Sequence, residues 1–272
     1  MNNIEKKLLL QVENLEIGFS QYFKGTKKRT IRPIADLHVD ICEGEIVAVV
    51  GASGSGKSLL AHAILGILPS NAICSGKIVY MEKELTEELK IQLRGREISF
   101  IPQSVNYLDP LMKVGKQVQI GLGKKEANDK QKKLFKQYDL QERDGELFPY
   151  ELSGGMLRRV LFATSVREGV RLVIADEPTP GIHPQALSEI LKQLKKFAEN
   201  GAGVMLITHD IISALEIADR VAVIKDGRTV EISPASAFEG KGEKLQDEYT
   251  RRLWQALPQN NFDLEFKEKG EK

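Results

Sequence analysis

The sequence predicts an α/β fold in which a largely parallel sheet carries helices on its faces. Short apolar runs of strand type alternate with stretches of helical period, most clearly over residues 171–224. One such run, residues 46–50, leads directly into a glycine-rich stretch and then into helix-compatible residues. In sheets of this type ligands bind at the carboxyl ends of the strands, so we expect a site where these runs end.

The glycine-rich stretch, residues 51–58, matches the phosphate-binding P-loop pattern G-x-x-x-x-G-K-S. Its glycines let successive backbone N–H groups point into one concavity, and the following helix adds its positive N-terminal end. Lys57 is then placed to reach the β- and γ-phosphates of a nucleotide, and the Ser58 hydroxyl to hold Mg²⁺. The other residues predicted to line this cradle are Gly51, Ser53, Gly54, Ser55 and Gly56.

Composition excludes several classes of protein. The chain has 272 residues and 39 Lys plus Arg against 38 Asp plus Glu, a net charge of +1, so no global basic field indicates a nucleic-acid partner. Its two cysteines, Cys42 and Cys74, have neither the number nor the spacing of a disulfide framework or a zinc site. No apolar run is long enough to cross a membrane and no secretory leader is evident. We therefore expect a cytosolic chain.

The N-terminal part and the middle of the chain depart from the α/β pattern. Residues 8–17 partly alternate apolar and polar side chains, which is typical of an antiparallel edge strand, and residues 34–41 alternate again. Residues 98–101 form a short buried strand that ends at a proline. Residues 113–150 have a helical period and predict an inserted helical subdomain. The last ten residues or so are expected to be disordered.

Polar side chains end three of the predicted strands. Asp176 and Glu177 follow one strand; Asp176 suits the shell of a Mg²⁺ ion, and Glu177 can polarise a water beside the terminal phosphate. His209 ends a second strand and can bind that phosphate, and Gln103 follows a third. Taken singly, each has a plainer interpretation: a helix-capping turn, a structural histidine and a surface amide.

Two further features predict contacts, one to an anion and the other to a nucleotide base. Residues 153–155, Ser-Gly-Gly, open a predicted helix and offer a hydroxyl, two unobstructed N–H groups and the helix dipole, so they form a second anion site far from the P-loop in sequence. Near the N-terminus, Phe19 offers a flat face to a nucleotide base, with Tyr22 and Phe23 as alternatives in the basic loop that follows. Packing beneath a strand end explains Phe19 equally well.

Together these stretches resemble the nucleotide-binding subunits of ABC transporters. The motifs lie in the family's order at residues 51–58, Gln103, 152–156, 172–177 and 208–210. The resemblance implies a P-loop NTPase core of RecA-like type with an antiparallel β subdomain and an inserted helical signature subdomain. It places the nucleotide-binding domain at residues 1–240, the helical subdomain at about 104–168, and a C-terminal extension with a disordered tail at 241–272.

In that family two subunits sandwich two ATP molecules with Mg²⁺, each P-loop facing the partner's signature. The resemblance therefore implies that Ser153, Gly154 and Gly155 clasp the γ-phosphate held by the partner. The remaining roles that it implies are adenine stacking by Phe19, Mg²⁺ and water contact by Gln103, metal binding by Asp176 beside Ser58, general base catalysis by Glu177 and γ-phosphate sensing by His209.

The subfamily is indicated by residues 94–103, 108–110, 114–118 and 249–258, which look like oligopeptide, dipeptide and nickel importers. The resemblance implies an ATP-hydrolysing subunit on the cytoplasmic face of the membrane, importing peptides, nickel or a metal–chelator complex. Its partners would be a second ABC ATPase subunit, two membrane permease subunits and an extracytoplasmic substrate-binding protein, with no nucleic acid.

One motif departs from the family pattern. Residues 180–183 read Pro-Gly-Ile-His where the family usually has Ser-Ala-Leu-Asp, which favours a heterodimer with unequal sites. An alternative interpretation is a weakly hydrolysing regulatory half of such a pair. A third is a soluble ABC ATPase acting on nucleic acid or the ribosome, but such proteins usually carry two nucleotide domains and only one P-loop occurs in this sequence.

Overall fold

A computed structural model describes residues 7–23, 27–123, 126–165, 169–178 and 184–257. For residues 21–23, 27–29 and 184–186 only the backbone is described. The predicted disordered tail and the departure at residues 180–183 both lie outside these ranges. Within them, no helix is both long and apolar enough to span a membrane.

The described strands form one sheet of ten strands in the order β5-β4-β1-β2-β10-β9-β3-β8-β7-β6. Their bounds are β1 (Leu8–Phe23), β2 (Lys27–Cys42), β3 (Ile46–Gly51), β4 (Ala72–Tyr80), β5 (Lys83–Glu84), β6 (Ile98–Ile101), β7 (Leu172–Asp176), β8 (Gly203–Thr208), β9 (Arg220–Lys225) and β10 (Arg228–Pro234).

One half of the sheet is parallel, as predicted. β3 pairs in parallel with β8 and β9, β7 with β8, and β6 with β7. Every residue of β3, β7 and β8 is buried, which is why these segments read as unbroken apolar runs rather than alternating ones. The carboxyl ends of β3, β7 and β8 therefore meet at one edge of the sheet and carry the P-loop, Asp176 and His209.

The other half is antiparallel, and here one expectation was wrong. β1 pairs with both β2 and β4, so it is an inner strand rather than an edge strand, and it extends to Phe23. The edges of the described sheet are β5 and β6. Alternating side chains report that one face of a strand is buried, but they carry no information on how many neighbours it has.

The helices follow the predicted α/β alternation. They are α1 (Lys57–Leu65), α2 (Glu87–Leu93), α3 (Val114–Gln119), α4 (Ala127–Gln137), α5 (Gly154–Ser165), α6 (Pro184–Glu199), α7 (Ile211–Leu215) and α8 (Glu248–Gln255). The helices α3, α4 and α5 lie between β6 and β7, where the helical insertion was predicted. Short 3₁₀ turns at 105–107, 142–146 and 149–151 complete this segment.

The sheet separates two apolar cores. On β3, Val47 and Val49 face a core shared with α1 and the antiparallel strands, whereas Ala48 and Val50 face a core shared with α5, α6 and α8. This is the period of two expected of a strand that is buried on both faces. The P-loop therefore starts from a strand that is packed on both faces.

Candidate functional site

The P-loop joins β3 to α1, and its shape depends on glycine at two positions. A side chain at Gly51 would place its Cβ 2.1 Å from the carbonyl oxygen of Ile224 on the neighbouring strand β9. Gly56 has φ +97°, in the left-handed region, and a Cβ there would lie 2.8 Å from Ile34. The loop is thus packed closely against β2 and β9 at the carboxyl end of β3.

Lys57 lies inside this loop. Its side chain is buried, and Nζ donates hydrogen bonds to the carbonyl oxygens of Gly51 at 2.9 Å and Ala52 at 3.0 Å. Burial lowers the pKa of Lys57, while the nearby charges of Glu177 and Asp176 act in the opposite direction. The ammonium is therefore partly desolvated and pre-positioned, which strengthens its attraction for a phosphate anion.

A buried hydroxyl in the same loop supports the assignment of a phosphate site. The Oγ atom of Ser55 is buried and has no hydrogen-bond partner among the described residues. Buried polar atoms in native proteins are nearly always paired, so an unpaired one inside a cradle of backbone N–H groups fits a ligand oxygen. Nucleotide phosphates are the ligands that such a cradle takes.

Ser58 and Asp176 come together although they are far apart in sequence. Ser58 Oγ donates to Asp176 Oδ1 at 3.1 Å, across the gap between α1 and the end of β7. Burial raises the pKa of Asp176, and the hydrogen bond from Ser58 partly offsets that effect. A hydroxyl and a carboxylate are hard oxygen donors of the kind that Mg²⁺ prefers.

This donor pair fits Mg²⁺ better than a metal that needs a full protein cage. No group of three or more His, Cys, Asp or Glu side chains among the described residues is arranged to hold a metal ion. Mg²⁺ usually takes one or two protein oxygens and completes its octahedron with water and substrate phosphates. The site therefore fits a metal that arrives with a nucleotide.

Glu177 and His209 form a second pair beside the first. Glu177 Oε2 lies 2.8 Å from His209 Nδ1, with the carboxylate side chain 12% exposed and the imidazole 65% exposed. Glu177 has φ +44°, and its N–H donates to the carbonyl oxygen of Ile207 at 2.8 Å. The histidine thus holds the carboxylate from the solvent side while β8 holds its backbone.

Gln103 follows β6 and is exposed. Its carbonyl oxygen accepts a hydrogen bond of 2.9 Å from Nη1 of Arg158, a residue on α5. Burial lowers the pKa of Arg158. This contact ties the Gln103 loop to the helix that begins with the Ser-Gly-Gly motif. The sequence did not predict this role for Arg158, because nothing beyond its position in the predicted helix pointed to a contact with Gln103.

The Ser-Gly-Gly motif does open a helix, as predicted. Ser153 Oγ accepts the N–H of Met156 at 3.3 Å, and α5 begins at Gly154. Gly154 and Gly155 are both exposed, and a Cβ at either position would meet nothing within 4 Å. Packing among the described residues therefore does not require glycine here, and both residues leave their backbone open to a ligand from outside.

The full set of motifs is matched by a known family. Residues 34–180 match the sequence model of the family described as ABC transporter. The chain belongs to the ABC transporter family. This confirms the predicted resemblance and, with it, the P-loop α/β fold, nucleotide binding and ATPase activity.

Curated relatives support the same assignment over nearly the whole chain. The oligopeptide transport ATP-binding protein OppD of Lactococcus lactis subsp. cremoris is 33% identical over 94% of this ABC ATPase and 77% of the relative. The glutathione import ATP-binding protein GsiA of Escherichia coli O6:H1 is 33% identical over 92% of this chain and 42% of the relative.

A solved ATP-binding cassette has the same fold. Its dimeric structure in a post-hydrolysis state, bound to ADP and phosphate, superposes with a TM-score of 0.71 at 24% identity. The superposition covers 84% of this chain and 99% of the cassette.

The roles predicted for the site residues of this ABC ATPase stay predictions, and the adenine contact is one of them. Phe19 lies in β1, half-buried and packed against the core shared with α1, in agreement with the packing interpretation. Stacking on adenine by Phe19 is therefore a proposal, and the side chains of Tyr22 and Phe23 lie outside the described residues.

Proposed function

We propose that this chain is the ATP-hydrolysing subunit of an ABC importer for peptides, acting on the cytoplasmic face of the membrane. The observation that carries the proposal is the pairing of Glu177 with His209 directly beside the pair of Ser58 and Asp176. The relatives named for oligopeptide and glutathione transport favour a peptide-class substrate over the nickel or metal–chelator alternatives.

The nucleotide would be bound by the P-loop. The backbone N–H groups of residues 51–58 and Lys57 take the β- and γ-phosphates, and the Ser55 hydroxyl pairs with a phosphate oxygen. Ser58 and Asp176 would hold Mg²⁺, and Gln103, in the loop that follows β6, would contact the metal and the attacking water. The ion would supply positive charge beside the phosphates.

Hydrolysis would depend on Glu177. Its carboxylate directly follows Asp176 at the end of β7 and lies 2.8 Å from Nδ1 of His209. It orients a water against the terminal phosphate and accepts the proton as the water attacks. The exposed imidazole of His209 can also bind the departing phosphate, so that it both positions the base and senses the product.

The second half of each site would come from a partner subunit. Ser153, Gly154 and Gly155 present a capped helix N-terminus with open backbone, which suits the γ-phosphate of a nucleotide held by another chain. The departure at residues 180–183 favours a heterodimer, with two membrane permease subunits and an extracytoplasmic substrate-binding protein completing the importer.

The proposal is tested by replacing the base in the assembled transporter. Glu177→Gln keeps the hydrogen-bonding shape but removes the proton acceptor, so ATP turnover should fall roughly 10²- to 10⁴-fold while ATP binding persists. Glu199→Gln, an exposed carboxylate at the end of α6, is the matched control and should change nothing. Phosphate release and peptide uptake into proteoliposomes are the measurements.

Replacing the partner's base in a parallel experiment extends the test, and two outcomes would contradict the proposal. Unchanged turnover in Glu177→Gln would remove the base assignment. If transport stops only when the partner's base is replaced, this chain is the regulatory half of the pair instead. Uptake of nickel but not of peptides would correct the substrate class alone.

A further inference from the structure

Two aromatic rings are stacked at the surface just before the Ser-Gly-Gly motif. The rings of Phe148 and Tyr150 are parallel to within 4°, and their centroids lie 5.5 Å apart. Phe148 is half-buried, whereas Tyr150 is 72% exposed. Because Phe148 covers one face of the Tyr150 ring, an exposure of this size leaves the other face open to solvent.

The backbone that carries this pair of rings is held by hydrogen bonds and by a buried proline. Pro149 begins a short 3₁₀ turn, and its own ring fixes the backbone angle φ at that position. The N–H of Phe148 donates to Glu151 Oε2 at 2.7 Å, and the N–H of Glu151 donates to the Phe148 carbonyl oxygen at 3.0 Å. Leu152, which follows the turn, is buried. The Tyr150 ring is thus positioned in advance, which lowers the entropic cost of binding a flat ligand.

The open ring lies close to the motif that is proposed to bind the γ-phosphate of the partner's nucleotide. Tyr150 precedes Ser153 by three residues, so their Cα atoms are no more than about 11 Å apart. A nucleotide whose γ-phosphate lies at residues 153–155 extends over a comparable length before its base begins. The base therefore comes within reach of the Tyr150 ring while the γ-phosphate contacts the motif.

A nucleotide base is a flat ligand that suits such a ring. Aromatic side chains stack on bases because every base has a π-face, and the contact needs no particular hydrogen-bond pattern. Phe19 is the residue of this chain that was predicted to make that contact, but it is half-buried and packs against the core shared with α1. Tyr150 is therefore the more accessible of the two rings.

We propose that Tyr150 stacks on the adenine of the ATP that the partner subunit holds in its own P-loop. The inference rests on the proposed function, because it needs a nucleotide sandwiched between two subunits. The base lies on the open face of Tyr150, Phe148 supports the other face, and the Ser-Gly-Gly motif binds the γ-phosphate. This chain then contacts both ends of the nucleotide that its partner holds.

The test is binding of AMP-PNP, a non-hydrolysable ATP analogue, to the assembled transporter by isothermal titration calorimetry. Lys57→Ala in this chain weakens its own P-loop, so the tight site that remains is the partner's, which faces Tyr150. In that background Tyr150→Ala should weaken binding about tenfold, whereas Tyr150→Phe should bind normally because it keeps the ring. Inorganic triphosphate, which has no base, should bind equally well to both. Ile91→Ala, at a side chain 63% exposed on α2, is the matched control and should change binding less than about twofold.

Several results would overturn the stacking proposal. They are normal AMP-PNP binding by Tyr150→Ala in the Lys57→Ala background, equal weakening by Tyr150→Phe or by Ile91→Ala, and an equal loss of inorganic triphosphate. Normal nucleotide binding combined with a loss of peptide uptake in Tyr150→Ala would place the ring against another subunit, which also overturns the proposal. Failure of the proposed function is seen separately, as unchanged turnover in Glu177→Gln, because the present test measures binding alone.

Discussion

The two glycine-rich motifs of this chain are built in opposite ways. In the P-loop, Gly51 and Gly56 are required by the chain's own packing, because a Cβ at either would lie 2.1 to 2.8 Å from a neighbouring strand. In the signature motif, Gly154 and Gly155 have open space where a side chain would go. The first motif is packed within this chain, whereas the second leaves its backbone open, as the proposed contact with a partner subunit requires.

The serines of the two motifs differ in the same way. Ser58 donates to Asp176 within this chain, and Ser55 is buried in the loop. Ser153 caps its own helix at an exposed position, and the hydrogen bonds found for it among the described residues come from Met156 and Leu157 in the first turn of that helix. A motif whose groups are only locally engaged is available for recognition in trans, which is the arrangement that a nucleotide sandwich requires.

The largest effect is expected at Gly51. Gly51→Ala would drive a Cβ against the Ile224 carbonyl at 2.1 Å, and backbone cannot move aside as a flexible side chain can. We expect a loss of about 3 kcal/mol or more in the free energy of unfolding, together with loss of ATP binding. Chemical denaturation and nucleotide titration measure the two effects.

Gly54→Ala is the matched control for that experiment. Gly54 lies in the same loop at φ +79° but has nothing within 4 Å of its Cβ position, so only left-handed backbone strain of about 1–2 kcal/mol applies. Equal losses in the two variants would show that conformation, rather than contact with β9, fixes the loop.

Gly154→Ala should have effects of opposite sign on stability and on function. Replacing an exposed helical glycine by alanine stabilises a helix by about 0.5–1 kcal/mol, and no described atom opposes the new Cβ. Turnover in the assembled transporter should fall about tenfold or more, because the Cβ would crowd the partner's nucleotide. Normal turnover in a stabilised Gly154→Ala transporter would contradict the role in trans.

A smaller effect is expected at the hydrogen bond between Arg158 on α5 and the loop that follows β6. Arg158→Gln would remove the charged donor to the Gln103 carbonyl, and we expect a three- to tenfold fall in turnover, equivalent to about 1 kcal/mol. ATP affinity should not change, since the side-chain hydrogen bond found for Arg158 among the described residues goes to Gln103 and not to the P-loop. Arg159→Gln, whose guanidinium contacts Asp139 instead, is the control on the same helix.

The smallest expected effect is on the free energy of unfolding and concerns Glu231, which belongs to neither motif. Burial acts to raise the pKa of Glu231, but hydrogen bonds from Ser233, Gln246 and Asp247 outweigh it, and the pKa lies below 4.5. The stabilisation is therefore present above about pH 4.5 and is lost as the pH falls through the folded-state value.

Glu231→Gln should accordingly cost about 1 kcal/mol at pH 7 and progressively less below pH 4.5. Thermal unfolding of both proteins from pH 7 to pH 3 measures the difference, and a gap that stays constant with pH would contradict the assignment.

What could be predicted from the sequence was local. The P-loop, the strand that ends at Asp176 and the helix that starts after Ser153 each lie within one short stretch, where period and turn chemistry are sufficient. Neighbours across the sheet could not be predicted in this way. The alternation of residues 8–17 gave no sign that β1 has a partner on both sides.

Contacts between side chains that are far apart in the sequence were predicted only where the expected chemistry needs both groups at one site. Ser58 and Asp176 were expected to share a metal, and they lie within 3.1 Å. Glu177 and His209 were both expected near the γ-phosphate, but their direct contact was not foreseen. The hydrogen bond from Arg158 to the backbone carbonyl of Gln103 depends on how the helical segment packs against the sheet, which no sequence motif specifies.

The backbone of Glu177 has a consequence for the evolution of this chain. At φ +44° a glutamate occupies a conformation that glycine or asparagine adopts far more readily, at a cost of about 1–2 kcal/mol. Replacing Glu177 by either residue would relieve this backbone strain and, on the role proposed above for Glu177, would stop ATP turnover at the same time. Backbone stability alone therefore gives no reason for a glutamate at this position.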